Sequence, residues 1–270
     1  VRIELHCHST CSDGTEAPAA VAARAAARGV TLFALTDHDS CAGSAAAVAE
    51  GLAVVRAVEL SCDEGGHTVH VLAFDRGGAW PLIEAKLEEV RVARRNRLTT
   101  MAAKLRARGI AIDVAPLLAV AETRAVGRPD LARAMVAAGA ATSVRDAFDR
   151  HLYDRGPVDV PHRALPVEVA LAIGREAGAA MSLAHPHLLG DRAPSLLRKY
   201  KPAGLEGIEA WYGPYDPRTR ARWTKVADTL DLVCTGGSDW HGPEAGGPEP
   251  GVELPEDRAA RLRAWLGRAA

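Results

Sequence analysis

Short β-branched and apolar runs alternate with alanine-rich stretches along most of the chain. The runs predict strands over 2–6, 30–36, 52–59, 69–74, 180–184, 207–211 and 232–235. The stretches between and after them predict helices near 17–28, 44–51, 166–177, 216–229 and 255–267, with Gly29 as the glycine that ends the first. Strands alternating with helices argue for an α/β fold with a parallel sheet or barrel. Residues 82–154 break this rhythm. Helical periodicity there covers 82–108, 114–122, 129–138 and 144–151, and no strand pattern interrupts it. We therefore expect an α/β domain formed by 1–80 and 155–270, with an all-helical insertion, 81–154, that could serve as a lid. The glycine- and proline-rich stretch 242–251 reads as a loop.

Charge and composition narrow the function. Lys+Arg total 33 against 34 Asp+Glu, a net charge of −1 that argues against a dedicated nucleic-acid coat. Basic residues still gather locally at Arg91, Arg94, Arg95, Arg97, Lys104, Arg106 and Arg108. The five cysteines (Cys7, Cys11, Cys41, Cys62, Cys234) are odd in number and form no CxxC pair, which fits neither a disulfide framework nor a zinc ribbon. The N-terminus shows no secretory pattern and no stretch of apolar residues is long enough for a span, so the expected location is cytoplasmic, without a membrane or an obligate protein partner.

The histidines carry the chemistry. His6 and His8 flank Cys7 at the end of the first predicted strand, two apart and so on one face, with Cys7 turned to the other. Asp13 follows in a turn. The second strand ends in Thr36-Asp37-His38-Asp39, the third in Glu59, and the fourth carries His70. A later strand ends in His185-Pro186-His187, and the last in Gly237-Ser238-Asp239-Trp240-His241. Each motif alone has a plain explanation: Thr36–Asp39 could cap a helix, and Glu59 could be a surface acid. Together they place ligating groups at or near six strand ends, the end where barrels build active sites. Imidazole with carboxylate suits Zn, Mn or Fe. Nine such groups exceed what one ion can bind, so two or three divalent ions sharing carboxylates are expected. His67 should face away from His70, and His151 and His162 read as surface or substrate rim.

HCHSTCSDG, TDHD, Glu59, HVLAFD, GRPDLARAM, SLAHPH and GGSDWHG resemble, in order and over nearly the whole chain, the motifs of the PHP (polymerase and histidinol phosphatase) superfamily, most of all its TrpH-like phosphoesterases. The resemblance implies a distorted (β/α)7 barrel with a trinuclear site. It assigns His6, His8, Glu59 and Asp239 to one ion. Glu59 would bridge to a second ion with His70 and His185, and Asp13, His38 and His241 would hold a third. It implies removal of the 3′-phosphate from 3′,5′-bisphosphonucleosides, and degradation of short RNA from its 5′ end. Metal chemistry adds the expectation that a hydroxide bridging two ions is the nucleophile. Arg128 matches the family's phosphate-binding arginine. Asp130 stands where the family often has histidine, adding negative charge beside it. Asp13 and Glu59 would be catalytic through the ions. His187 would contact substrate and donate a proton to the leaving group, and Arg94 and Arg97 would favour a second phosphate.

Other functions fit parts of the pattern. Another small phosphate ester or a cyclic phosphodiester could be the substrate. A C–N amidohydrolase also opens with HxH but often uses a carboxylated lysine, and no lysine stands at a predicted strand end. A non-catalytic metal-binding scaffold would be expected to lack ligands.

Overall fold

The computed structural model describes residues 1–121, 124, 126–153, 155–160 and 164–267. His162 lies outside them. The chain divides into two compact units, Val1–Lys86 with Ala164–Ala270, and Leu87–Arg163. Among the described residues, no helix is long and apolar enough to cross a membrane.

In chain order the elements are β1 (Arg2–Glu4), α1 (Pro18–Ala27), β2 (Leu32–Phe33), β3 (Ala53–Val54), β4 (Ala57–Glu64), β5 (His67–Phe74) and α2 (Pro81–Ala107). There follow α3 (Ala115–Val120), α4 (Arg128–Ala137), α5 (Val144–Ala147), β6 (Leu165–Pro166), α6 (Val167–Glu176), β7 (Ala180–Leu183) and α7 (Ala193–Tyr200). The chain ends with β8 (Leu205–Tyr212), α8 (Pro217–Leu230), β9 (Val233–Gly237), β10 (Val252–Glu253) and α9 (Glu256–Trp265).

The first unit carries two sheets, ordered β10-β1-β2-β3 and β6-β4-β5-β7-β8-β9. Two isolated bridges join them, Cys7 to Trp240 and His38 to Glu59. The circuit β1-β2-β4-β5-β7-β8-β9 thus closes into a distorted seven-stave barrel. Alternation along the first stave sorts its residues between two surroundings. Cys7 joins Val21, Ala25, Phe33 and Trp240 in a hydrophobic cluster outside the sheet. His6 and His8, on the other face, are fully buried. In the second unit, Leu98, Met101 and Leu105 of α2 pack with Leu131 and Met135 of α4 and with Leu152, making a separate apolar core.

Four expectations need correction. The run 52–59 is not one strand: β3 pairs with β2, and after Arg56 the chain crosses into the other sheet as β4. The predicted helix at 44–51 is a set of turns. Of that stretch only Ala47 is buried in the apolar cluster, with Ala49 partly buried against it, too little burial to offset helix nucleation. Third, the barrel is not wholly parallel, because β4 and β5 form an antiparallel hairpin through Gly65 and Gly66. The site end of β5 is therefore its beginning, which is why His70 stands in its first half. Finally, α7 escaped the pattern analysis, although Ala193, Leu196, Leu197 and Tyr200 bury one face at helical spacing.

Candidate metal centre

The nine predicted ligands meet at one end of the barrel. Glu59, at the start of β4, is their hub. Its Oε2 lies 3.3 Å from His6 Nε2, 3.3 Å from His8 Nε2 and 3.1 Å from His38 Nδ1. Its Oε1 lies 2.9 Å from His70 Nδ1 and 3.0 Å from His185 Nε2. Asp239 Oδ1 stands 3.3 Å from His6 Nε2 and 3.1 Å from His8 Nε2. Asp13 faces His241 at 3.3 Å, His8 at 3.8 Å and His38 at 3.9 Å. Among the described residues, four overlapping groups have ligand atoms close enough to share an ion: His8, Asp13, His38 and His241; His6, His8 and Glu59; His6, His185 and Asp239; His38, Glu59 and His70. His8 therefore reaches the Asp13 group as well as Glu59.

Backbone shape helps to aim these groups. His185 and Asp239 have φ of 25° and 56°, and Asp39, whose carboxylate accepts from Ser61 N at 2.8 Å, has φ of 48°. Side chains rarely adopt this region, and such strain concentrates at functional sites. Gly14 lets the Asp13 loop fold tightly, since a Cβ there would lie 2.7 Å from the His8 carbonyl and from Ser9 N.

The donor set fits a cation. His6 Nε2, His8 Nδ1, His38 Nδ1 and Glu59 Oε2 are buried without a hydrogen-bond partner, an arrangement that water-free protein rarely tolerates. The charges point the same way. Burial opposes protonation of His8, yet the Asp239 and Glu59 carboxylates beside it outweigh burial and hold the imidazole up at about 10. Burial likewise opposes, but Glu209, Glu59 and Asp239 raise, His6. His38 goes the other way, pushed down to about 4 by burial. Glu59 stays far below the usual carboxylate range despite burial, because His38, His6 and His70 surround it. Concentrated buried acid thus demands positive charge, which protons supply where no ion does.

Several supporting residues were not singled out from sequence. Glu209 of β8 is fully buried, accepts from the His185 backbone N–H at 2.7 Å and faces His6 Nδ1 at 3.0 Å. Its sequence signal is an acid between Ile208 and Ala210 in an apolar strand. Asp37 accepts from Ser9 N, Ser9 Oγ and Ser12 Oγ at 2.7, 2.7 and 2.6 Å and ties down the loop leading to Asp13. Tyr212 donates to Asp239 Oδ2 at 2.9 Å. His187 is outside the ligand cluster, its ring centroid 6.3 Å from that of His185, and Tyr215 Oη lies 2.9 Å from its Nδ1. His67 is exposed, as its position opposite His70 predicts.

In the second unit, Arg94, Arg97 and Arg128 line one small pocket beside Gly127. Burial and the neighbouring Arg128 guanidinium hold the Arg97 pKa below the usual arginine value. Asp130 does not burden this cluster with free negative charge. It caps α4, accepting from Gly127 N at 2.8 Å, and pairs with Arg124 at 2.7 Å and Arg133 at 3.1 Å.

A barrel whose strand ends gather imidazoles and carboxylates around one central buried acid defines a metal-dependent hydrolase. No family model matches the chain. It is 34% identical over 258 residues to a 3′,5′-nucleoside bisphosphate phosphatase of Chromobacterium violaceum, covering 92% of this chain and 90% of the relative. It is 32% identical over 254 residues to a 5′-3′ exoribonuclease of Haemophilus influenzae, covering 90% of each. A solved structure from Bifidobacterium adolescentis, described as a candidate metal-dependent phosphoesterase, superposes with a TM-score of 0.84 at 29% identity, covering 97% of this chain and 95% of that one. The chain belongs to the PHP family of metal-dependent phosphoesterases.

Proposed function

We propose that this phosphoesterase removes the 3′-phosphate of a 3′,5′-bisphosphonucleoside and hydrolyses short RNA from its 5′ end. The nine side chains around Glu59 would hold two or three divalent ions, with Mn, Zn and Fe all suited to the donors. One observation carries the metal assignment: both oxygens of a single buried carboxylate face imidazoles, three on one side and two on the other. The substrate class draws support from the two curated relatives.

Such ions supply positive charge to phosphate oxygens and acidify water to a pKa of about 7. The chain's own groups do the rest. Glu209, an acceptor only, keeps a proton on His6 Nδ1 and so leaves the Nε2 lone pair facing Glu59 and Asp239. The Asp239 carbonyl 2.9 Å from His241 Nδ1 acts likewise, leaving Nε2 to face Asp13. Tyr215 Oη accepts the His187 backbone N–H at 3.3 Å and lies 2.9 Å from Nδ1, to which its hydroxyl can donate. With Nδ1 accepting, the one ring proton of neutral His187 sits on Nε2, where it can donate a hydrogen bond to a departing ester oxygen. Arg128, with Arg94 and Arg97, would bind phosphate oxygens through planar guanidinium donors.

The test is phosphate release from adenosine 3′,5′-bisphosphate by protein reconstituted with Mn, Zn or Fe, against a metal-stripped control. Metal-dependent release of phosphate and adenosine 5′-monophosphate is expected. Silence with a fully loaded centre would overturn the substrate assignment.

A further inference from the structure

A furrow in the first unit leads away from the metal centre. Its inner part is a cavity of 220 Å³ that opens at His70 and His185 and is walled by Val69, Ala184, Leu188 and Leu189. A second cavity of 360 Å³ shares Val69 and Leu189 with the first and continues to Arg192, Ser195 and Lys199. The two therefore form one path, apolar near the ligands and charged at its far end.

The charges at that end are unequal in availability. Lys199 is held by Glu64 at 2.7 Å and Glu168 at 3.5 Å. Both acids also take the Tyr200 hydroxyl. Asp191 pairs with Arg222 at 2.7 Å. Arg192 is exposed and, among the described residues, carries no hydrogen bond or ion pair. The acids of the furrow are thus neutralised and one guanidinium is left over. Leu188 is 69% exposed at the inner cavity. A lone exposed leucine means little, but this one borders two ligands of a metal centre.

We propose that this furrow is the subsite for the nucleotide on the 3′ side of the attacked phosphate in an oligoribonucleotide. Its base lies on the Leu188–Leu189 surface, and its onward phosphate meets Arg192. The proposal rests on the substrate assignment above. In a bisphosphonucleoside the 3′-phosphate ends in bare oxygens, whereas in RNA the same phosphate bears the next nucleoside. Hydrolysis is otherwise the same. Water adds to phosphorus, the bond to the 3′-oxygen breaks, that oxygen takes a proton, and the shortened strand keeps a 5′-phosphate. A site serving both substrates needs room for one further nucleoside, and proteins hold nucleotides by packing bases on aromatic or apolar side chains and meeting phosphates with cations.

The test uses the full-length, metal-loaded enzyme with adenosine 3′,5′-bisphosphate and a 5′-phosphorylated pentaadenylate. Arg192→Ala and Leu188→Ala should each leave kcat/KM for the bisphosphate within about twofold. Each should lower kcat/KM for the pentamer about tenfold, through KM. Equal losses on both substrates, or none on either, overturn the furrow. Binding of a dye-labelled pentamer separates the two layers of argument. If wild type hydrolyses the bisphosphate but does not bind the pentamer, the furrow fails and the phosphatase assignment survives. If neither substrate is hydrolysed, the substrate assignment fails, and the furrow still stands or falls on whether Arg192→Ala raises the pentamer Kd about tenfold.

Discussion

Replacing Glu209 by glutamine changes one oxygen for an amide nitrogen, and the structure says why that is not conservative. The carboxylate accepts on both sides, from His185 N at 2.7 Å and from His6 Nδ1–H at 3.0 Å. Glutamine has one acceptor. If its oxygen keeps the His185 N–H, its NH2 faces His6 Nδ1, which must then accept. The His6 proton moves to Nε2, the atom 3.3 Å from both Glu59 and Asp239, and the ligand is lost. If the amide turns over, two buried donors face each other at His185 N, at a cost of about 1–3 kcal/mol. Either outcome predicts metal binding weaker by roughly 10- to 100-fold, or about 1.4–2.8 kcal/mol. The assay is competition for Mn or Zn between stripped protein and a chelating dye, with circular dichroism to show that Glu209→Gln remains folded. In a His6→Ala background the same change should have little further effect on affinity, because Glu209 acts through His6. Wild-type affinity in the folded single variant would refute the argument.

Three further outcomes are expected. Gly14→Ala forces a Cβ against the backbone of His8 and Ser9 at 2.7 Å, so the Asp13 loop must shift. Stability should fall by about 1–3 kcal/mol, with weaker metal binding, and a thermal melt matching wild type in both respects would contradict this. Loading the stripped protein at pH 7 should release protons, since His8 is held up at about 10 by Asp239 and Glu59 against burial and must deprotonate to ligate. Metal affinity should therefore weaken as pH falls, and a weakly buffered titration with an indicator dye that shows no acidification would exclude it. Burial pushes the Glu4 carboxyl up to about 7 against hydrogen bonds from Ser238, Gly251 and His6. The folded protein then binds this proton more tightly than the unfolded chain, so its contribution is full below pH 4.5 and lost as pH rises through 7. Relative to Glu4→Gln, metal-free wild type should lose up to about 3 kcal/mol over that window; urea melts showing a pH-independent difference would count against it.

What the sequence revealed and what it hid have different physical origins. Alternation places His6 and His8 on one strand face whatever the tertiary fold, so the first ligands were readable from spacing alone. The direction of β5 was not readable in the same way. A run such as 67–74 looks the same in parallel and antiparallel pairing, and only its short Gly65-Gly66 link to β4 argues for a hairpin. The crossing between β3 and β4 was hidden for a similar reason, since 52–59 is apolar on both sides of Arg56 and nothing local says which sheet each half joins. Helix α7 differs: its buried positions follow the ordinary amphipathic pattern, so the information was present and local.

The supporting residues expose a deeper limit. Ligands are conspicuous because histidine pairs and acid clusters at strand ends are unusual, whereas Glu209 is one acid in an apolar strand and Glu4 another. Their meaning depends on which backbone N–H groups come near them. Glu4 accepts from His6 N on its own strand and from Ser238 N and Gly251 N, more than two hundred residues away. Glu209 joins the first stave to the turn after β7 by touching His6 and His185 N. These two carboxylates hold together the ends that carry His6, His185 and Asp239. Each is itself a buried acid that the fold must satisfy, so closure of the barrel and preparation of the metal centre are coupled. Stripping the centre should accordingly loosen the barrel as well as silence it, because the remaining acids must then recruit protons in place of ions.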